Sequence, residues 1–120
     1  NAMVTELIMP YGDTLRRLIA SGGKVVAGTD SPIIPPGISL HTEIQNFVEG
    51  GLTPFQALQT ATVWAAEALG AGEDLGTIEP GKLADLVIIK GDPLSDIRAT
   101  WNIHTVIKNG ETYPLDDLLR

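Results

Sequence analysis

Up to Gly70 the apolar residues recur three and four positions apart; beyond it they gather into unbroken Val- and Ile-rich runs. Leu15, Leu18 and Ile19 sit at helical spacing in a segment from about Val4 to Ser21, with Asp13 or Thr14 as its cap and Pro10-Tyr11-Gly12 interrupting its apolar start. Gly22-Gly23 ends the segment, since glycine tolerates the left-handed backbone of a helix terminus. Lys24-Val25-Val26-Ala27-Gly28 follows with no polar alternation. Such a run predicts a short strand covered on both faces, as in parallel sheets. Pro32, Pro35, Pro36 and Gly37 then make a rigid loop. A second helix is predicted from Ser39, its cap, to Glu49, with Leu40, Ile44, Phe47 and Val48 as the buried stripe. Gly50-Gly51 stops it. The third helix has the clearest start: Thr53 as cap, Pro54 at the first helical position, and Gln56 to complete a capping box. Its stripe reads Phe55, Leu58, Thr62, Ala65 and Leu69, and Gly70 ends it.

Ala71 to Lys82 is rich in Gly, Glu and Pro and reads as a loop. Leu83 to Lys90 and Ile103 to Lys108 read as strands, separated by a turn at Gly91-Asp92-Pro93. Asn109-Gly110 is a strong hairpin signal, returning the chain through Glu111-Thr112-Tyr113. The expected architecture is α/β: helix, buried strand and two helices over residues 4–70, then a small antiparallel β unit over 71–120. Asn1-Ala2-Met3 resembles a trimmed tag followed by a start methionine and is set apart from the fold. At 120 residues the chain fits one domain.

Composition narrows the function classes. Eight basic against fifteen acidic side chains leave a formal charge of −7. That argues against a nucleic-acid binder, which needs a basic face for phosphates, and against docking on an anionic membrane. No apolar run approaches the roughly 20 residues of a membrane helix. The absence of cysteine removes disulfides, zinc–thiolate sites and thiol catalysis. A hydrophobic fraction of 43% is enough to build a core.

Asp30 is the sharpest candidate for chemistry. It follows the predicted strand in Gly28-Thr29-Asp30-Ser31, where α/β folds place catalytic groups. A carboxylate there can ligate a metal or take a proton from water; it can equally be a turn aspartate bonded to nearby N–H groups. His41, near the start of the second helix, reads either as a substrate contact or proton shuttle near Asp30 or as a half-exposed helix histidine. His104 reads as structural, and Asp85 and Asp92 as strand-end and turn residues. Ser31, His41 and Asp30 are too close in sequence to make a triad.

Together these segments resemble a known family. Gly28-Thr29-Asp30-Ser31, Leu52-Thr53-Pro54-Phe55-Gln56-Ala57-Leu58, Ala66-Glu67-Ala68-Leu69-Gly70, Leu75-Gly76-Thr77-Ile78-Glu79-Pro80-Gly81-Lys82-Leu83-Ala84-Asp85-Leu86 and Val106-Ile107-Lys108-Asn109-Gly110 occur in an order similar to the C-terminal part of metal-dependent amidohydrolases, in the imidazolonepropionase-like and prolidase-like branch. The resemblance implies the last βα part of a TIM-type (β/α)8 barrel plus the C-terminal strands of a small β-sandwich, incomplete as a stand-alone fold. Lys24–Gly28 would be the last barrel strand. Asp30 would be the catalytic, metal-binding aspartate of an enzyme whose metal-bound hydroxide attacks an amide carbonyl. His41, followed by Glu43, would line the substrate pocket.

The same resemblance leaves most of the site unaccounted for. The family's His-x-His pair, bridging lysine or acid and later barrel histidines have no counterpart here. A divalent metal, zinc by family habit, is therefore expected in the full-length enzyme and not in this piece alone, which reads as a truncated piece, a split gene or an incomplete reading frame. The expected substrate of the parent is a small amide or dipeptide, and the expected compartment is the cytoplasm. The piece itself is expected to be inactive. Its open strand edge and helix faces call for the missing barrel region or for self-association, most simply a dimer. The competing expectation is a non-catalytic oligomerisation or interaction domain.

Overall fold

The computed structural model describes residues 2–30, 32–33 and 37–118, with side chains from Tyr11 onward. Four helices precede a three-stranded sheet. They are α1 (Ala2–Ala20), α2 (Ile38–Glu49), α3 (Pro54–Thr60) and α4 (Val63–Ala68). The strands are β1 (Leu86–Ile89), β2 (Ile103–Lys108) and β3 (Glu111–Pro114), followed by a short α5 (Leu115–Leu118). A 3-10 turn, Ile97–Trp101, lies between β1 and β2.

α1 runs unbroken through Pro10 and Gly12, so Asp13 and Thr14 lie inside it rather than at its cap. Gly12 is a packing residue: a Cβ there would lie 1.9 Å from the Gly50 carbonyl oxygen at the end of α2. The predicted stop holds. Gly22 has φ 87°, and the N–H groups of Gly22 and Gly23 reach back to Ile19 and Leu18, the paired bonds of a Schellman ending.

The expected strand at Lys24–Gly28 is extended but has no ladder partner among the described residues. Nor is it covered on both faces. Val25 and Ala27 pack toward the core, whereas Val26 on the other face is 45% exposed. A parallel strand is buried on both faces when helices pack on each side of its sheet, and among the described residues only the core side is covered.

α2 begins one residue early. Gly37, with φ 89°, is its cap and makes no side-chain bond, while Ser39 is buried inside the helix rather than capping it. Ile44 and Phe47 are buried as the stripe requires, but Leu40 is exposed. The third predicted helix starts as expected: Thr53 Oγ1 accepts the Gln56 N–H at 3.2 Å, and the Gln56 side chain accepts the Thr53 N–H at 3.0 Å. It then breaks in two. Thr60 and Thr62 hydroxyls donate back to the Ala57 and Leu58 carbonyls, at 2.6 and 2.8 Å, competing with the helix ladder. The freed Thr60 carbonyl accepts the Ala27 N–H at 3.0 Å. The break also turns the buried face. Ala57, Thr60 and Ala66 are buried, while Phe55 and Leu69, expected in the stripe, are 60% and 82% exposed.

The β unit is a meander in order β1-β2-β3, antiparallel throughout, with Val106 paired to Val87 on one side and Tyr113 on the other. β1 starts at Leu86, three residues after the predicted start, because the Leu83 N–H donates to the Asp74 carbonyl and the Asp85 N–H to the Leu83 carbonyl, each at 2.9 Å. Asn109 and Gly110 have φ 52° and 83°, the two left-handed residues of a type I′ hairpin. Asp85 accepts the Asn109 N–H at 2.8 Å and pairs with Lys108, pinning the start of β1 to that hairpin. In the preceding loop Lys82 Nζ donates to the Gly72 carbonyl and the Thr77 hydroxyl, each at 2.7 Å.

One core joins the two segments: Leu15, Ile44, Phe47 and Ala57 from the helices, Leu52 from the link between α2 and α3, and Ile97 from the 3-10 turn. Yet the chain exposes 8264 Å², against about 6,200 Å² expected for a self-contained protein of this mass. Its radius of gyration is 15.3 Å, against about 13.6 Å for a compact domain of this length. No helix among the described residues is long and apolar enough to cross a membrane.

Candidate active site

Asp30 stands at the end of the extended segment with φ 46°. A left-handed backbone is uncommon outside glycine, though aspartate tolerates it better than most residues. The turn is closed by the Ile33 N–H, which donates to the Asp30 carbonyl at 2.8 Å. The side chain is exposed. Ser31, the other polar residue of the turn, and the two prolines at 35 and 36 lie outside the described residues.

α2 approaches this turn with a polar face. Ser39, Glu43 and Asn46 fall at i, i+4 and i+7, and together with Gly28 and Thr29 they line a cavity of 120 Å³. Glu43 is half-buried, and burial pushes its carboxyl above the ordinary glutamate range. The Gly28 N–H bears on the carboxylate and works against that rise, while the negative charge of Asp30 adds to it. The structure thus brings Asp30 and Glu43 within electrostatic reach of each other.

His41 is two residues, or about 200°, around α2 from Glu43. Its half-buried ring packs against Trp101, with ring centroids 5.2 Å apart and planes tilted by 33°. Its Nδ1 is buried with no hydrogen-bond partner among the described residues, and burial lowers its pKa. A larger open cleft, 620 Å³, is lined by Gln45, Lys90, Arg98 and Trp101 among others and includes none of Asp30, His41 and Glu43. His104 contacts the neighbouring Thr105 hydroxyl at 2.7 Å. Asp92 accepts from the Leu94 N–H and the Ser95 hydroxyl at 2.9 and 2.6 Å, as a turn residue does.

Two contributors were hidden in the sequence. Glu43 enters there only as the companion of His41; its signal is the polar i, i+4, i+7 series beside an apolar stripe. Trp101 belongs to a 3-10 turn that no periodicity announces. Among the described residues no three His, Asp or Glu side chains gather into a metal-holding group. A protein zinc site typically takes three ligands or more. Asp30 and Glu43 alone therefore do not fit a complete metal centre.

Comparison with known proteins matches residues 12–113 to the amidohydrolase family. The imidazolonepropionase of Geobacillus kaustophilus (strain HTA426) is 38% identical over 109 residues, covering 87% of this chain and 26% of that protein. The solved structure of a Xaa-Pro dipeptidase with methionine bound in its active site superposes with a TM-score of 0.77 at 39% identity, covering 86% of this chain and 25% of that one. Molinate hydrolase superposes with a TM-score of 0.74 at 29% identity, covering 85% and 26%. The chain thus spans about a quarter of the length of the relatives it matches.

Proposed function

The chain belongs to the amidohydrolase family, and from that premise we propose that it supplies the Asp30-bearing turn to the active site of a hydrolase of non-peptide C–N bonds or dipeptides. The observation that carries this reading is the Asp30 turn itself. It is a carboxylate at the end of an extended segment, held in a left-handed conformation and within electrostatic reach of Glu43. An exposed carboxylate so placed can accept a proton from the attacking water and return it to the leaving amine. The family generally relies on a metal, which activates water and polarises the carbonyl. The ligands missing from this chain would come from polypeptide outside these 120 residues. His41 packs against Trp101 about 200° around α2 from Glu43, so it would reach substrate only in a pocket that extends around that helix.

The same proposal accounts for the excess surface: a barrel strand without neighbours leaves area for the missing barrel to cover. A second reading is favoured by the same area. Roughly 2,000 Å² beyond expectation exceeds the ~800 Å² per partner of a standard interface, as an oligomerisation module would require. Sizing of the 120-residue chain across a concentration series separates them, because a species monomeric at every concentration removes the second reading.

The direct test is a graft. Residues 12–120 replace the matching segment of the related Geobacillus imidazolonepropionase. The grafted enzyme should hydrolyse its host's substrate, and Asp30→Ala should lower kcat by about 100- to 10,000-fold. A folded graft that is inactive, or one indifferent to Asp30→Ala, overturns the proposal. The ungrafted chain should hold less than one metal ion per molecule by elemental analysis and show no turnover. Stoichiometric metal lost on Asp30→Ala would instead mean that the chain builds a complete site.

A further inference from the structure

Residues 55–69 contain neither glycine nor proline, yet the helix they predict is interrupted. The interruption comes from two hydroxyls. The Ala61 and Thr62 N–H groups tighten onto the Leu58 and Gln59 carbonyls, three residues back, at 3.1 and 3.3 Å, as in a 3-10 turn. An α-helix would give the Ala57 carbonyl to the Ala61 N–H. Here it accepts the Thr60 hydroxyl instead, at 2.6 Å, and the Thr62 hydroxyl bonds the Leu58 carbonyl at 2.8 Å. The ladder is thus ended from within by side chains that compete for its carbonyls.

The interruption frees one acceptor. In an unbroken helix the Thr60 carbonyl would take the Trp64 N–H. Instead it accepts the Ala27 N–H at 3.0 Å, three residues before Asp30. Among the described residues no other backbone-to-backbone hydrogen bond joins residues 24–28 to the rest of the chain, and no strand ladder fixes them. At the far end of the segment Lys24 pairs with Glu67 on α4, but both side chains are exposed, and such a pair contributes little in water. Thr60, by contrast, is completely buried. A threonine is a costly choice there, because valine has the same shape and no hydroxyl to satisfy. The hydroxyl is explained if the break itself is what the position requires. Asp30 then adopts φ 46°, a conformation that persists only where its surroundings impose it.

We propose that Thr60 is the positioning residue for Asp30: its hydroxyl keeps the helix interrupted, and its carbonyl, freed by that interruption, holds the Ala27 N–H and so sets the direction in which the Asp30 carboxylate leaves the segment. The proposal rests on Asp30 being the reacting carboxylate, and Thr60 acts through the backbone rather than on substrate. Valine at this position keeps the shape and loses the donor; serine keeps the donor.

Amide exchange in the 120-residue chain, corrected for intrinsic rates, reads the hold directly. In the unaltered chain Ala27 should exchange at least about tenfold slower than Val26, whose N–H points to the opposite side of the segment. Thr60→Val should let the helix close. Protection should then pass from Ala27 to Trp64, and the Asp30 HN–Hα coupling, which reports φ, should shift. Thr60→Ser should keep the original pattern. In the grafted enzyme Thr60→Val should lower kcat about 10- to 100-fold with KM little changed, and Thr60→Ser should restore most of the loss. Equal exchange of Ala27 and Val26 in the unaltered chain overturns the proposal even if no variant folds. So does a Thr60→Val chain in which Ala27 stays protected, or in which Ala27 and Trp64 are both unprotected, since the second result is lost packing alone. An active graft whose kcat ignores Thr60→Val overturns it as well. A folded graft that is inactive with Thr60 in place overturns the catalytic reading instead, and Ala27 exchange with the Asp30 coupling still decides whether Thr60 sets the turn.

Discussion

Every strand of the β unit has a neighbour, and among the described residues the extended segment at residues 24–28 has none. β2 pairs on both edges, its hairpin is two residues long, and Asp85 ties the far end of the meander to that hairpin. The segment at 24–28, by contrast, depends on tertiary packing from distant sequence: the Ala27 N–H bonds the Thr60 carbonyl on α3, and Val25 and Ala27 pack against the core. One region satisfies its backbone by local pairing, the other by tertiary packing. The helical region should therefore stand or fall with its core, whereas the β unit should answer mainly to its own turns.

The largest effect that could break this contrast is in the core. Phe47 is buried beside Leu15 and Ile44. Phe47→Ala should cost about 3–5 kcal/mol, enough to unfold the helices, whereas Val87→Ala on the exposed face of β1 should change stability by less than about 0.5 kcal/mol. Denaturant titration followed by circular dichroism measures both. Similar losses at the two positions would mean that the β unit leans on its exposed face as heavily as the helices lean on their core.

Two glycines sharpen the contrast with smaller effects of different origin. At Gly12 an added methyl meets the Gly50 carbonyl, so Gly12→Ala should cost about 1–3 kcal/mol by forcing α1 off α2. At Gly110 nothing lies within 4 Å of the added Cβ. Gly110→Ala should therefore cost only the left-handed backbone, about 1–2 kcal/mol, and should leave the helix contacts intact. Thermal unfolding gives the magnitudes, and amide exchange shows where each loss falls. A Gly110→Ala variant that loosened α1 against α2 would show that the two regions are not energetically separate.

Legibility in the sequence follows the same divide. The capping box at Thr53 and Gln56, the Gly22-Gly23 stop and the Asn109-Gly110 hairpin are read correctly because each partner lies within a few residues. The family resemblance, carried by ordered motifs across most of the chain, is borne out by the match over residues 12–113. The expectations that fail have distant partners. Periodicity marks Phe55 and Leu69 as buried because they are the large apolar residues, but the break at Thr60–Thr62 turns small residues inward instead. Lys24–Gly28 looks buried on both faces because its composition is that of a strand with neighbours. Asp30 is legible from its place after that run; Glu43 is not, because its place depends on a fold that brings the polar face of α2 to the cavity beside Gly28 and Thr29.

The mildest test is acidity, and it should move the two regions in opposite directions. In and beside the β unit, Asp85, Asp92 and Asp96 all lie below the ordinary aspartate range, held there first by hydrogen bonds from Lys108, Ser95 and Arg98. A carboxyl with a depressed folded pKa stabilises fully above its unfolded value, near pH 4, and the contribution disappears as pH falls through the folded value. The β unit should therefore loosen below about pH 4. Glu43 has the reverse sign. Burial raises its folded pKa, so the penalty is complete above that value and is relieved as pH falls through it toward the unfolded value, near pH 4.3. Between neutrality and about pH 4.3 the α2 region should consequently tighten slightly, and Glu43→Gln should abolish that gain while leaving the acid loss of the β unit unchanged. Exchange rates corrected for intrinsic pH dependence, compared between α2 and β2 amides from pH 7 to pH 3, measure both. A parallel decline in the two regions would mean that they titrate as one cooperative unit, and the contrast between local pairing and tertiary packing would then not extend to their electrostatics.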